Sequence, residues 1–232
     1  MNAEDEKSNA IETRCLGEQI YDYLCDRIID GAYAYGDTLN IKLLAEQLNT
    51  SSMPVREAVK RLENEGVVVI KPRSTCYLKI PTKDSVMSAL DMRELLEIHC
   101  IKSVYGRIDR DRLVPFDEIL REMRKIVFGN HGGSRISEYQ KWDRRFHTEL
   151  CRLTANEYLV KFHKEISLHM SMSFIYDIAV PPDLEGTLAD HKAIVEKLRE
   201  NSPEAVTLLK SHLHKSRRNV VSGRLFLTSE GE

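Results

Sequence analysis

The stretch from Gly36 to Leu78 restricts the possible folds of this chain more than any other part of it. Two short helix patterns come first, and Asn40 and Ser51 stand at their starts, where small polar residues cap helices. Gly66 follows the second pattern as a stop signal. Two β-rich runs, 67–70 and 76–80, then flank a polar turn at 72–75. This order predicts a winged helix-turn-helix, a module that places a helix N-terminus in the major groove of DNA.

Charge is distributed unevenly along the chain. The formal net charge is −2, but the segment from Lys42 to Lys79 holds seven basic and four acidic residues. DNA phosphates are attracted by a basic patch, whatever the sign of the whole chain. We therefore expect DNA contacts at the first turn of the third helix, at the start of the preceding helix and on the wing, from Lys42, Ser51, Ser52, Met53, Arg56 and Arg73. For any single one of them, the alternative is an ordinary solvated side chain.

The run LAEQLNTSSMPVREAVKRLENEGVV resembles the DNA-binding domain of the GntR family of bacterial repressors. The block P-V-R-E-A begins at Pro54, and L-x-x-E-G ends at Gly66. The resemblance covers about residues 15–80 and implies sequence-specific DNA binding. Ser52 replaces a DNA-contacting arginine of the family, and Thr75 replaces a wing glycine, so the operator preference is not carried over.

From Thr82 onward, helical periodicity replaces the strand signals. Helices are predicted over 83–107, 110–128, 135–153, 156–178, 186–200 and 203–222. The predicted fold is therefore mainly α, with an N-terminal winged helix-turn-helix domain at 15–80 and a C-terminal all-helical bundle at 83–222. A disordered tail is expected at 1–14 and a second tail at 223–232.

One carboxylate and three imidazoles lie on core-facing stripes of the predicted bundle. Asp143 and His147 are one turn apart in KWDRRFHTEL, while His191 and His212 share helix faces with aliphatic residues. These side chains are suitable ligands for a divalent transition metal, which would offset the cost of burying an aspartate. From composition and periodicity alone, four hydrogen-bonded residues without a metal are an equal alternative.

The same residues carry a second resemblance, to the FCD ligand-binding domain of the FadR-type branch of the GntR family. Three motifs match in order: D-x-x-x-H from Asp143, the acid–His pair before Ile194, and H-L at His212. The resemblance covers about residues 83–222. It implies that the metal is held by Asp143, His147, His191 and His212. His214 is the neighbour that is not chosen.

The resemblance also implies an effector. A small carboxylate occupies open positions on the metal in such domains, and an arginine of the first helix, here Arg93, helps to hold it. The other interpretation of Arg93 is a surface salt bridge with Glu97 at i+4. His169 and Arg145 are further candidates for lining the cavity.

The expected function is thus a cytoplasmic, homodimeric transcriptional regulator, a repressor by family resemblance. It would bind a two-fold symmetric operator under the control of a small organic acid at a metal site. Zinc is the first choice of metal, with nickel, iron or manganese as alternatives. We also consider a regulator that senses the metal alone, and a metal-dependent enzyme fused to a DNA-binding head. Because no motif fixes an acid or base beside the ligands, no enzyme activity is expected.

No apolar run approaches the roughly 20 residues of a membrane span, so no membrane partner is expected. The five scattered cysteines indicate a reducing compartment.

Overall fold

The computed structural model describes residues 15–29, 32–33, 36–71, 75–129, 135–176 and 183–222. These residues divide into two compact units, and the boundary that follows the predicted wing lies between Lys79 and Ile80. Within the described ranges, no helix combines the length and hydropathy needed to cross a bilayer.

The first unit has the predicted order of helices and strands. Its elements are α1 (Leu16–Ile29), α2 (Ile41–Gln47), α3 (Ser52–Asn64), β1 (Val68–Lys71) and β2 (Thr75–Leu78). The two strands pair antiparallel, with Val68 opposite Leu78. An isolated bridge joins Thr38 to Tyr77, a pairing that the sequence did not indicate. This hairpin beside α3 is the wing of a winged helix-turn-helix.

The helix boundaries of this unit follow from local chemistry. The Asn40 carboxamide accepts hydrogen bonds from the backbone N–H groups of Lys42 and Leu43, as predicted for a cap. Ser51 occupies the N-cap position of α3 with extended backbone, but its side chain makes no capping hydrogen bond, so that part of the prediction was wrong. Gly66 has φ +74°, the left-handed conformation in which glycine ends a helix without strain.

The second unit is entirely helical in its described residues. Its helices are α4 (Lys83–Val104), α5 (Val114–Phe128), α6 (Arg135–Arg152), α7 (Glu157–Tyr176), α8 (Leu184–Arg199) and α9 (Glu204–Val221). The helix predicted over 110–128 instead begins as a 3-10 helix, Arg110–Leu113, before α5. Pro115 explains the change, because it lacks an N–H and is tolerated in the first α-helical turn.

One large core joins α4, α5, α6, α8 and α9. Phe116 of α5, Phe146 and Leu150 of α6, Ile194 of α8 and Leu209 of α9 are all fully buried in it. Helix α4 packs against α6, α7 and α9, while α8 packs against α9. The inner faces of α4, α6, α8 and α9 therefore converge, and the predicted ligands lie on these faces.

Several sequence predictions fall outside the described residues. They are the two tails at 1–14 and 223–232, the stop at Gly31, the wing residues 72–74 and the last two residues of the helix predicted over 156–178.

Candidate metal centre and DNA-binding surface

The start of α3 presents an accessible polar surface. Arg56 and Ser51 are exposed, Ser52 is half-buried, and Met53 is 63% exposed. Lys42, in the first turn of α2, is also exposed. Five of the six predicted DNA contacts are thus available to a partner. The sixth, Arg73, lies outside the described residues.

Two other basic residues of α3 are neutralised within the unit. Lys60 pairs with Glu63, and Arg61 Nε lies 3.1 Å from Glu65 Oε1. Tyr21 of α1 fixes the second pair, since its hydroxyl donates to Glu65 at 2.6 Å and its ring lies 3.7 Å below the Arg61 guanidinium.

Lys42 and Arg56 differ from these paired cations, because among the described residues no ion pair engages either of them. Among the described residues, two cations of this surface thus have no ion-pair partner, and two are paired with glutamates of α3 and its end.

The four predicted ligands converge in the second unit. His191 Nε2 and His212 Nε2 are 3.2 Å apart, and His212 Nε2 and His147 Nε2 are 3.3 Å apart. Asp143 Oδ1 lies 3.4 Å from His191 Nε2 and 3.9 Å from His147 Nε2. One ligand atom from each residue lies within 4.8 Å of all the others. Helix α6 supplies two of these atoms, and α8 and α9 supply one each.

Burial differs within the cluster. The three imidazoles are buried, but the Asp143 side chain is 26% exposed. The expectation that Asp143 is a buried carboxylate was therefore wrong, and the cluster is most open to solvent on the Asp143 side.

The surroundings favour the neutral form of two of the imidazoles, His147 and His191. Burial lowers the pKa of His147 to about 4, and the Arg93 guanidinium acts in the same direction. Burial also lowers the pKa of His191 well below its ordinary value, with His212 and His147 adding to the effect. Neutral imidazole is the form that binds metals, so the environment keeps these nitrogens ready to coordinate.

A buried carboxylate that the sequence analysis missed lies beside the cluster. Glu97 is 0% exposed, and its Oε2 accepts a hydrogen bond from His147 Nδ1 at 2.7 Å. Its Oε1 accepts from Arg93 Nε at 2.7 Å and from His163 Nε2 at 2.9 Å. Burial opposes ionisation, but Arg93 and His147 outweigh it and hold the pKa of Glu97 well below its usual range. The carboxylate is therefore charged and acts only as an acceptor.

Arg93 combines parts of both interpretations made from the sequence. It does pair with Glu97, but the pair is buried, with side-chain exposures of 7% and 0%, so the expectation of a surface salt bridge was wrong. Only Nε takes part in this hydrogen bond, which leaves both Nη groups outside it. Asp143 is among the charges that raise the pKa of Arg93 against the effect of burial.

Two of the remaining candidates pair with residues outside the cluster. Arg145 pairs with Glu118 of α5 at 2.7 Å and lies over the Trp142 ring. His214 is on the exposed side of α9, 3.3 Å from Glu94. His169 is half-buried on α7.

Two buried polar atoms in this region have no hydrogen-bond partner among the described residues. They are His191 Nδ1 and the hydroxyl oxygen of Tyr139, one turn before Asp143. Burial, together with the charges of Asp143, Asp183 and Asp190, raises the pKa of Tyr139.

A winged helix-turn-helix joined to a helical domain with an internal polar cluster defines a class of protein, the transcriptional regulators. Residues 16–78 match the bacterial regulatory proteins of the gntR family, and residues 88–215 match the FCD domain. The chain belongs to the GntR family, and it is a DNA-binding transcriptional regulator with an FCD domain.

Relatives with known names agree with this assignment. The chain is 24% identical over 187 residues to the HTH-type transcriptional regulator YdhC of Bacillus subtilis, covering 81% of this chain and 82% of that protein. It is 23% identical over 198 residues to the HTH-type transcriptional repressor RspR of Escherichia coli K12, covering 84% and 83%. Over 132 residues it is 26% identical to the Nta operon transcriptional regulator of Aminobacter aminovorans, covering 57% and 60%.

Solved structures share the fold. McbR/YncC of E. coli superposes with a TM-score of 0.76 at 20% identity, covering 88% of this chain and 96% of that one. A GntR regulator from Rhodococcus sp. RHA1 gives a TM-score of 0.74 at 20% identity, covering 88% and 97%.

Proposed function

We propose that this regulator is a homodimeric repressor whose operator binding is controlled by a small carboxylate bound at a divalent metal. The metal ligands would be Asp143, His147, His191 and His212. The observation that carries the proposal is the convergence of three imidazole Nε2 atoms and one carboxylate oxygen inside a regulator of this family.

The spacing of the ligand atoms supports a metal. Atoms bound about 2.0–2.1 Å from a zinc ion in tetrahedral geometry lie roughly 3.3–3.4 Å from one another. Three separations in the cluster, 3.2, 3.3 and 3.4 Å, fit this value, whereas the 3.9 Å between Asp143 Oδ1 and His147 Nε2 is wider. Zinc is the first choice, and nickel, iron and manganese accept the same donors. A metal with more than four positions would leave some open to a carboxylate.

Arg93 supports an anionic effector. It is 6% exposed, and both Nη groups lie outside its hydrogen bond with Glu97. A guanidinium binds a carboxylate through two parallel hydrogen bonds. Arg93 lies near the cluster, since the Glu97 carboxylate that accepts its hydrogen bond also accepts one from His147 Nδ1.

The first unit supports operator binding through α3. Arg56 and Lys42, which have no ion-pair partner in the described part of the chain, would contact phosphates and base edges together with the backbone N–H groups at the start of α3. Arg73 remains a proposed wing contact. We assign the DNA-binding domain to residues 15–80 and the effector domain to 83–222. The unit boundary after Lys79 supports that division.

A homodimer would double the few base contacts of one small head and match a two-fold operator. Exposed apolar side chains of the helical unit support a second copy as partner, since large exposed apolar residues mark interfaces. On α4 these are Met92 and Leu95, and on α7 they are Tyr158 and Phe162.

Selection of duplexes from a random DNA pool by the full chain tests the DNA-binding part of the proposal. For the selected duplex, Arg56→Ala is expected to raise Kd by about 5- to 150-fold, which corresponds to about 1–3 kcal/mol. Lys60→Ala is the matched control, because this cation of the same helix is already paired with Glu63. Equal losses of DNA affinity in the two variants would contradict the assignment of Arg56 as a DNA contact.

Titration of the DNA complex with Zn²⁺, with acetate or citrate, and with both tests the control mechanism. A change in affinity that requires metal and carboxylate together supports the proposal. A full change with Zn²⁺ alone identifies the metal as the signal. Unchanged affinity under all three conditions, or turnover of the carboxylate, contradicts the proposal.

A further inference from the structure

Glu97 and its three hydrogen-bond donors form a closed network beside the proposed metal ligands. Arg93 belongs to the same helix, α4, whereas His147 comes from α6 and His163 from α7. Glu97 and His163 are each 0% exposed. Ser167 extends the network, with its Oγ 3.4 Å from His163 Nδ1. One carboxylate thus joins three helices at a point where no solvent reaches it.

Stability alone is a poor explanation for this network. Moving an ion pair out of water costs about as much free energy as the attraction between its charges gains, or more. Well-packed apolar residues of similar volume often give equal stability. The specific feature here is the placement of protons. An ionised carboxylate cannot donate, so each imidazole that contacts it must present an N–H.

The hydrogen bond to Glu97 determines which nitrogen of His147 carries a lone pair. His147 Nδ1 holds the proton that Glu97 accepts, so His147 Nε2 is left unprotonated in the neutral ring. That Nε2 is the atom 3.3 Å from His212 Nε2. A ring flip or a change of tautomer would break a 2.7 Å charge-assisted hydrogen bond.

His163 and Arg93 in turn hold Glu97. Both donate to Oε1, which leaves Oε2 directed at His147 Nδ1. The carboxylate is therefore fixed by donors from α4 and α7 while it orients a ring on α6. Hydrogen bonds of this kind from metal-binding histidines to carboxylates raise ligand basicity and typically change metal affinity 10- to 100-fold.

We infer that Glu97 is a positioning residue for the metal: it fixes the tautomer and orientation of His147, and His163 fixes Glu97. This inference rests on the proposed metal site, and it adds two residues that contact no metal themselves.

Glu97→Gln tests the role, and Glu94→Gln is the matched control. The control removes the same charge from the same helix, where Glu94 faces the exposed His214. With Co²⁺ as the probe, Glu97→Gln is expected to raise Kd by about 10- to 100-fold and to shift the visible absorption of the bound ion. Glu94→Gln is expected to match the wild type.

Nitrogen-15 NMR of the histidine rings in metal-free protein gives a second readout that metal loading does not affect. The wild type is expected to show His147 as the Nδ1–H tautomer, and Glu97→Gln is expected to lose that preference. If the single variant does not fold because Arg93 is left unpaired, the double variant Arg93→Gln/Glu97→Gln removes both buried charges and is measured in the same way.

The outcomes separate the two proposals. Wild-type protein that binds no Co²⁺ overturns the proposed metal site and this role with it. Wild-type protein that binds Co²⁺, together with a Glu97→Gln variant of unchanged affinity, absorption and tautomer, overturns the role of Glu97 alone.

Discussion

His212→Ala is expected to abolish the metal-dependent part of the stability of the helical unit. Three imidazoles direct Nε2 atoms at one another across 3.2 and 3.3 Å, and a cation would bind in the folded cluster far better than in the unfolded chain. At a free metal concentration of 100 times Kd, such binding adds about 2.7 kcal/mol to the free energy of unfolding. For a unit of this size, this corresponds to a rise in Tm of about 5–11 °C.

The assay is thermal unfolding of the wild type and each variant in EDTA and in excess Zn²⁺. Each protein is compared with itself, so the packing cost of truncating a 5%-exposed side chain cancels from the metal-dependent difference. His214→Ala is the control, since His214 lies two residues away on the same helix and its side chain is 45% exposed. The His214→Ala variant should keep the full Zn²⁺-dependent rise in Tm. An equal rise in His212→Ala would refute the argument from geometry.

Three further predictions concern buried groups. Tyr139→Phe removes a buried hydroxyl that has no partner among the residues the structure describes, so it should raise the free energy of unfolding by about 1 kcal/mol in urea titrations. A loss of stability would show that this hydroxyl is bonded. Burial raises the pKa of the Cys25 thiol to about 12, whereas Cys15 is exposed. Iodoacetamide at pH 8 should therefore modify Cys15 first by mass spectrometry, and equal rates would contradict this. The stabilisation from protonated Cys25 should be complete below the unfolded thiol pKa, about 8.5, and be lost as pH rises towards 12. Phe146 is fully buried, with its ring centroid 4.1 Å from that of His191. Phe146→Ala should lower the free energy of unfolding by about 3–5 kcal/mol. Phe128→Ala should lower it little, because Phe128 is 65% exposed. Similar losses in the two variants would contradict the burial of Phe146.

Local sequence signals indicated most of the elements and the i, i+4 pair that contributes to the cluster. The Asn40 cap, the glycine at Gly66 and the i, i+4 pair of Asp143 and His147 depend on neighbours within one or two turns, and such patterns are visible in a sequence. The 3-10 start before α5 was missed, because periodicity does not distinguish the two helix types.

The Glu97 network depends on how helices cross, and periodicity does not determine crossings. A charged residue was expected on the surface, but α6 and α7 pack over Glu97 and supply His147 and His163 from 50 and 66 positions away. The sequence nevertheless contained a signal that Glu97 is buried. Glu97 shares a stripe at helical spacing with Leu90, Cys100 and Ile101, all of them buried.

The pairing of Lys60 and Arg61 inside the head has a consequence for binding in salt. A cation that neutralises a DNA phosphate releases a condensed counterion, and each one steepens the fall of log K with log salt concentration by about 0.9. Lys60 and Arg61 already pair with Glu63 and Glu65, so they release no counterions from DNA. The slope of log K against log salt concentration is therefore shallower by about 1.8 for each DNA-binding domain. Less of the affinity for DNA then comes from non-specific attraction. The affinity for DNA should consequently fall less steeply as the ionic strength rises than it would with both cations unpaired.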